Sequence, residues 1–84
     1  MIDLFFYPKA CDLLVIVFNS NGCGIKLRDI ERSSGSSGAW VWECVSRFEY
    51  EGLVYFEHRG RSKFVFITFR GNLIAEAILK LSVI

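Results

Sequence analysis

The sequence lacks glutamine, has a single histidine, and pairs none of its three cysteines in a C-x-x-C spacing. One His and three scattered thiols, Cys11, Cys23 and Cys44, are a poor ligand set, so no metal site is expected. No hydroxyl or thiol has an evident base beside it, and no glycine-rich loop follows a strand into a helix, so the chain is read as a non-enzyme needing no cofactor. Long apolar runs are missing too: the longest, Leu13-Leu14-Val15-Ile16-Val17-Phe18, falls far short of the roughly 18 residues that span a bilayer. Met1-Ile2-Asp3 has neither a positive n-region nor a small-residue cleavage site, so the expected location is the cytoplasm. The absence of glutamine is in keeping with a hot environment, where intracellular disulfides are tolerated and an odd cysteine can pair across a two-fold axis.

What is present is apolar surface in excess. Eighty-four residues make one domain, yet 52% are hydrophobic and 15% aromatic, more than a monomer of this size easily hides. Self-association is the expected remedy. The net charge of +1 says nothing about a polyanionic partner, but its distribution does. Between His58 and Ala75 stand Arg59, Arg61, Lys63 and Arg70 with no acid among them, whereas eight of the nine acids lie between Asp3 and Glu57. An ordinary solvated hairpin tip would carry such bases as well.

Along the chain, Pro8 suits the first turn of a helix that Asn19-Ser20-Asn21-Gly22 closes. Within it Cys11, Leu14, Val15 and Phe18 form one apolar stripe, and Leu13, Ile16 and Val17 make much of the other side apolar. That second side, with the preceding Phe5 and Phe6, is expected at a subunit interface. Ile25, Leu27 and Ile30 among charged residues read as a short helix, and Ser33 to Gly38, although like a flexible linker, reads as a tight turn ending in an N-cap, Ser36 or Ser37. The next helix runs to Glu51, with Val41, Cys44, Val45 and Phe48 inward and Gly52 at its left-handed exit. Trp40 and Trp42, two apart, cannot share that stripe. Two β-branched and aromatic runs flank His58-Arg59-Gly60-Arg61-Ser62 as a hairpin, and Thr68 caps a last helix whose Ile74, Ala77, Ile78 and Leu81 form one apolar face. Leu73 and Leu79 fall outside that face and are assigned to the dimer interface with Phe5, Phe6, Leu13 and Val17.

This order of elements resembles the winged helix-turn-helix, nearest the MarR-like regulators and the small winged-helix proteins of archaea and their viruses. The resemblance is carried by Leu27-x-x-Ile30, Ser36-Ser37, Val41-x-x-x-Val45-x-x-Phe48-Glu49-x-Glu51-Gly52-Leu53-Val54, Arg59-Gly60-Arg61 and Ile67-Thr68-x-x-Gly71, over residues 23 to 81. It implies an α+β fold with a three-helix core, a two-stranded wing and a C-terminal helix. Residues 1–22 would then be arm and first helix, 25–52 the helix-turn-helix, 53–69 the wing and 70–84 the last helix. It further implies a homodimeric, sequence-specific regulator of double-stranded DNA. The helix after Ser36 and Ser37 would enter the major groove, presenting those serines with Trp40, Glu43 and Arg47, with Arg59, Arg61 and Lys63 of the wing along the backbone or in the neighbouring minor groove and Lys26 and Arg28 on flanking phosphates. Glu43 and the tryptophans leave that helix with little positive charge, so the alternative is a winged helix used for protein contacts.

Overall fold

A computed structural model describes residues 8–20 and 22–83; the expected interface residues Phe5 and Phe6 lie outside them. Helix α1 (Pro8–Phe18) buries Ala10, Leu13, Leu14 and Val17, the i, i+3, i+4, i+7 pattern of one helical face. The stripe is therefore turned from the expected one. Leu13 and Val17 are wholly enclosed in their own subunit and cannot form a dimer interface, while Cys11, Val15, Ile16 and Phe18 are half-buried. In a helix apolar all round, the small Ala10 decides which side approaches the core most closely.

Strand β1 (Ile25–Lys26) is a departure from the sequence reading, which began a helix there. Gly22 and Gly24 both have φ near +80°, a region open to glycine, and turn the chain so that Ile25 pairs with Val65 and Lys26 with Phe64. A side chain at Gly24 would collide with the Phe66 ring. Helix α2 (Leu27–Ser34) follows at once, buries Ile30, and ends on left-handed Gly35, whose N–H donates to the Glu31 carbonyl at 2.9 Å. Helix α3 (Gly38–Tyr50) is capped by Ser37, whose hydroxyl accepts from the Trp40 N–H at 3.3 Å. The inter-helix turn is thus Gly35-Ser36-Ser37, tighter than the expected Ser33 to Gly38, whose ends belong to the flanking helices.

Gly52, at φ +76°, releases the chain into β2 (Val54–Arg59), which pairs antiparallel with β3 (Ser62–Ile67) from Val54↔Ile67 to Arg59↔Ser62. With β1 on the far side of β3, the sheet is three-stranded rather than the expected two-stranded hairpin. Helix α4 (Phe69–Val83) then packs across α1. The Thr68 hydroxyl accepts from the Gly71 N–H at 3.0 Å and donates to the Gly52 carbonyl at 2.7 Å, fastening the start of α4 to the exit of α3. The inner face of α4 is Gly71, Ala75 and the half-buried Ile74 and Ile78; Ala77 and Leu81, expected inside, are exposed. Gly71 sits against the Leu53 carbonyl and Ile67, and that close approach sets the rotation of the helix. One core joins residues of all four helices to Leu53, Val54 and Val65.

Candidate nucleic-acid interface

Helix α3 turns Val41, Cys44, Val45 and Phe48 inward, so helical periodicity puts Ala39, Glu43 and Tyr50 at the middle of its outer face, with Trp42 and Arg47 on the flanks; Ser46 is half-buried, its hydroxyl oxygen shielded from solvent. Burial raises the Cys44 thiol to about 11, helped by the neighbouring Glu43 carboxylate, and removes Cys44 from any pairing across subunits. Cys11 is half-buried, its thiol raised by desolvation and by Asp12, and Cys23 is exposed.

The expected contact residues divide. Glu43 and Arg47 are exposed on α3. Ser37 lies at its N-terminus with the hydroxyl engaged in the cap. The Ser36 hydroxyl oxygen is shielded from solvent, and Trp40 packs half-buried against the core, so neither belongs to an outward-facing surface. Trp42 takes the place expected of Trp40: it is 46% exposed and stacks on Phe56 with ring centroids 5.6 Å apart. The period alone could not separate two tryptophans that both lie outside the inner stripe.

The wing residues part by strand alternation. The Lys63 ammonium lies 4.4 Å from the Trp42 ring centroid and 4.5 Å from that of Phe56, bridging wing and α3. Arg59, on the other face, is held down: its Nε donates to Glu57 Oε1 at 3.0 Å, and its guanidinium covers Phe64 and Phe66. Arg61 is exposed beside Gly60 at the tip. Lys26 and Arg28 are exposed at the start of α2. Because β1 pairs with β3, these come together with Lys63 and Arg32 around one open groove of about 590 Å³, whose sole acid, Asp29, lies 3.8 Å from Arg32. Five bases thus face one acid. Arg32 escaped the sequence reading because its proximity to the wing depends on a strand only two residues long.

No protein-family profile matches the chain. An uncharacterized protein of Archaeoglobus fulgidus is 29% identical over 79 residues, covering 92% of this chain and 83% of its own length. Among solved structures, AF1382 from Archaeoglobus fulgidus superposes with a TM-score of 0.83 at 28% identity, over 95% of this chain and 90% of that one. MepR, a transcription regulator of the Staphylococcus aureus multidrug efflux pump MepA, superposes with a TM-score of 0.81 at 20% identity over 88% of this chain. This chain spans 56% of the MepR chain in that structure. MepR in a complex with DNA gives 0.80 at 19% identity. No helix of the described residues is long and apolar enough to cross a membrane. With its helix-turn-helix at α2 and α3, its sheet wing and its flanking α1 and α4, the chain has a winged helix-turn-helix fold, which it shares with AF1382 and with MepR.

Proposed function

We propose that this protein is a homodimeric transcription regulator that binds double-stranded DNA in the cytoplasm, with α3 in the major groove and the wing along the backbone. The observation that carries the reading is the groove of Lys26, Arg28, Arg32, Arg61 and Lys63, a concentration of positive charge beside the exposed face of α3 in a chain with a net charge of only +1. Spaced bases of this kind neutralise successive phosphates and release counterions. The MepR–DNA complex supports the reading by fold.

The test is a fluorescence-anisotropy titration of the protein against random-sequence duplex at two salt concentrations. Binding that weakens steeply with salt is the expected result. No binding at low salt would transfer the reading to a protein-contact module, for which Tyr50, 89% exposed at the end of α3, and Trp42 beside the wing supply an aromatic surface.

Glu43 deepens the picture. It is exposed near the middle of the outer face of α3 and has no ion-pair partner among the described residues. Next to phosphate such a carboxylate is repelled, whereas at a base edge it accepts from the exocyclic amine of cytosine. Selection from randomised duplexes should show a cytosine preference at one position of each half-site, worth about 1–3 kcal/mol. Glu43→Gln should move that preference to adenine, and Glu43→Ala should abolish it while tightening binding to random duplex. An unchanged preference in both variants would sink the assignment.

A further inference from the structure

Alternation along the strands sends Val54, Phe56 and Val65 towards the helices and turns Tyr55, Phe64 and Phe66 to the opposite side of the sheet, where the register sets Tyr55 beside Phe66. An antiparallel sheet packed on one side ordinarily shows water a polar second face. This one carries three rings, none of them part of the hydrophobic cluster built around the helices.

The rings form a file across the sheet. Phe64 and Phe66 have centroids 6.5 Å apart, and Phe66 and Tyr55 stack at 5.2 Å with 12° between their planes. Phe66 is enclosed within the file, with the Gly24 backbone close against its ring. Tyr55 ends the file. It stands 46% exposed on β2, the edge strand, with one ring face on Phe66 and no ring or cation over the other among the described residues. Cations lie along the same face: the Arg59 guanidinium is 5.4 Å from the Phe64 centroid and 5.0 Å from that of Phe66, and the Lys26 ammonium is 5.8 Å from Phe64. The acid on this face, Glu57, is already matched by Arg59 at 3.0 Å.

Open ring faces interleaved with cations suit a ligand that alternates flat bases with phosphates. A protein partner seeking apolar contact would first have to strip Arg59 and Lys26 from the rings, whereas a nucleotide uses the ring and the cation together. We infer that the outer face of the sheet binds single-stranded nucleic acid, with an unpaired base stacked on the open face of Tyr55 and the adjoining phosphates at Arg59 and Lys26. The site is separate from the proposed duplex surface, since Trp42 of α3 packs on Phe56, on the other side of the sheet. Lys26, at the rim of the basic groove, is common to both.

Anisotropy titration of the full chain against a labelled oligothymidylate of about twelve nucleotides tests the inference. Tyr55→Ala should weaken binding about ten- to a hundredfold, and Tyr55→Phe should stay within about threefold of wild type. Arg59→Ala should weaken it at least about threefold. Stacking rather than charge is recognised by salt: two cations give a slope of at most about 1.4 in log affinity against log salt, and Tyr55→Ala should lower the affinity without changing that slope. Duplex binding by the Tyr55 variants should stay within about twofold of wild type, which also shows that they fold. Arg28→Ala, in the basic groove, should do the opposite, weakening duplex binding and sparing the single strand. Oligouridylate of the same length presents the same base and phosphate chemistry, and its affinity relative to oligothymidylate tells RNA from DNA as the natural strand. Absence of single-strand binding at low salt overturns the inference, and so does binding that Arg28→Ala weakens and Tyr55→Ala does not. A chain that takes the single strand and ignores duplex removes the proposed function and keeps this site; duplex binding without single-strand binding does the reverse.

Discussion

Replacing Lys26, Arg28 and Arg61 together by alanine should lower affinity for random-sequence duplex by about two to three orders of magnitude at about 0.1 M salt. Each phosphate contact releases about 0.9 counterion, so each is worth roughly a factor of ten at that ionic strength relative to about 1 M. The same arithmetic requires the plot of log affinity against log salt to become shallower by about 2.7. All three side chains are exposed around one groove and none is part of the core, so the fold should survive. Arg59→Ala serves as the contrast. Its guanidinium is bound to Glu57 and laid over two rings, so its removal should change the salt slope far less than removal of Arg61. Equal slopes for wild type and the triple variant would place the phosphate contacts elsewhere.

The largest effect on stability is expected at Gly71. Gly→Ala in an open helix position stabilises by about 1 kcal/mol, but here a Cβ would enter the space of the Leu53 carbonyl and come within 2.7 Å of Ile67 Cγ1. The carbonyl cannot retreat easily, because it accepts from the Thr68 N–H at 3.0 Å and lies 3.0 Å from the Thr68 hydroxyl. Overpacking against backbone costs about 3 kcal/mol or more, which for a domain of this size lowers the melting temperature by roughly 12–24 °C. Gly71→Ala should therefore destabilise, and Gly71→Val should leave little folded protein at physiological temperature. Lys80→Ala, on the exposed side of the same helix, should be close to neutral. Thermal melts followed by circular dichroism decide it, and a Gly71→Ala protein as stable as wild type would show that α4 can shift to make room.

The elements announced by local chemistry were legible in the sequence. Ser37, Gly52 and Thr68 each do with their own atoms or backbone angle what their position suggests, and Arg59-Gly60-Arg61 sits at a hairpin tip. What was illegible depends on partners distant in the chain. Ile25-Lys26 is too short to show a period and becomes a strand because β3 is alongside. The buried face of α1 follows from Ala10, and that of α4 from Gly71 and Ala75; in both helices small residues that barely register as hydrophobic set the rotation. The choice of Trp42 over Trp40 for the outer surface was open for the same reason, since Phe56, the ring that receives Trp42, arrives from β2. The outward-facing set differs accordingly: the Ser36 hydroxyl and Trp40 are turned inward, Arg59 stays exposed but is engaged with Glu57 and two rings, and Arg32 and Trp42 join the exposed residues near the wing.

Lys63 gives the proposed interaction a kinetic character. With its ammonium seated over Trp42 and Phe56, the wing is latched to α3 before any partner arrives. Two elements that would otherwise be ordered separately on binding are already fixed relative to each other, and the conformational entropy lost in the encounter is correspondingly small. Mutations that break the latch should therefore be felt first as slower, more strongly temperature-dependent association, even where every contact to the duplex is retained.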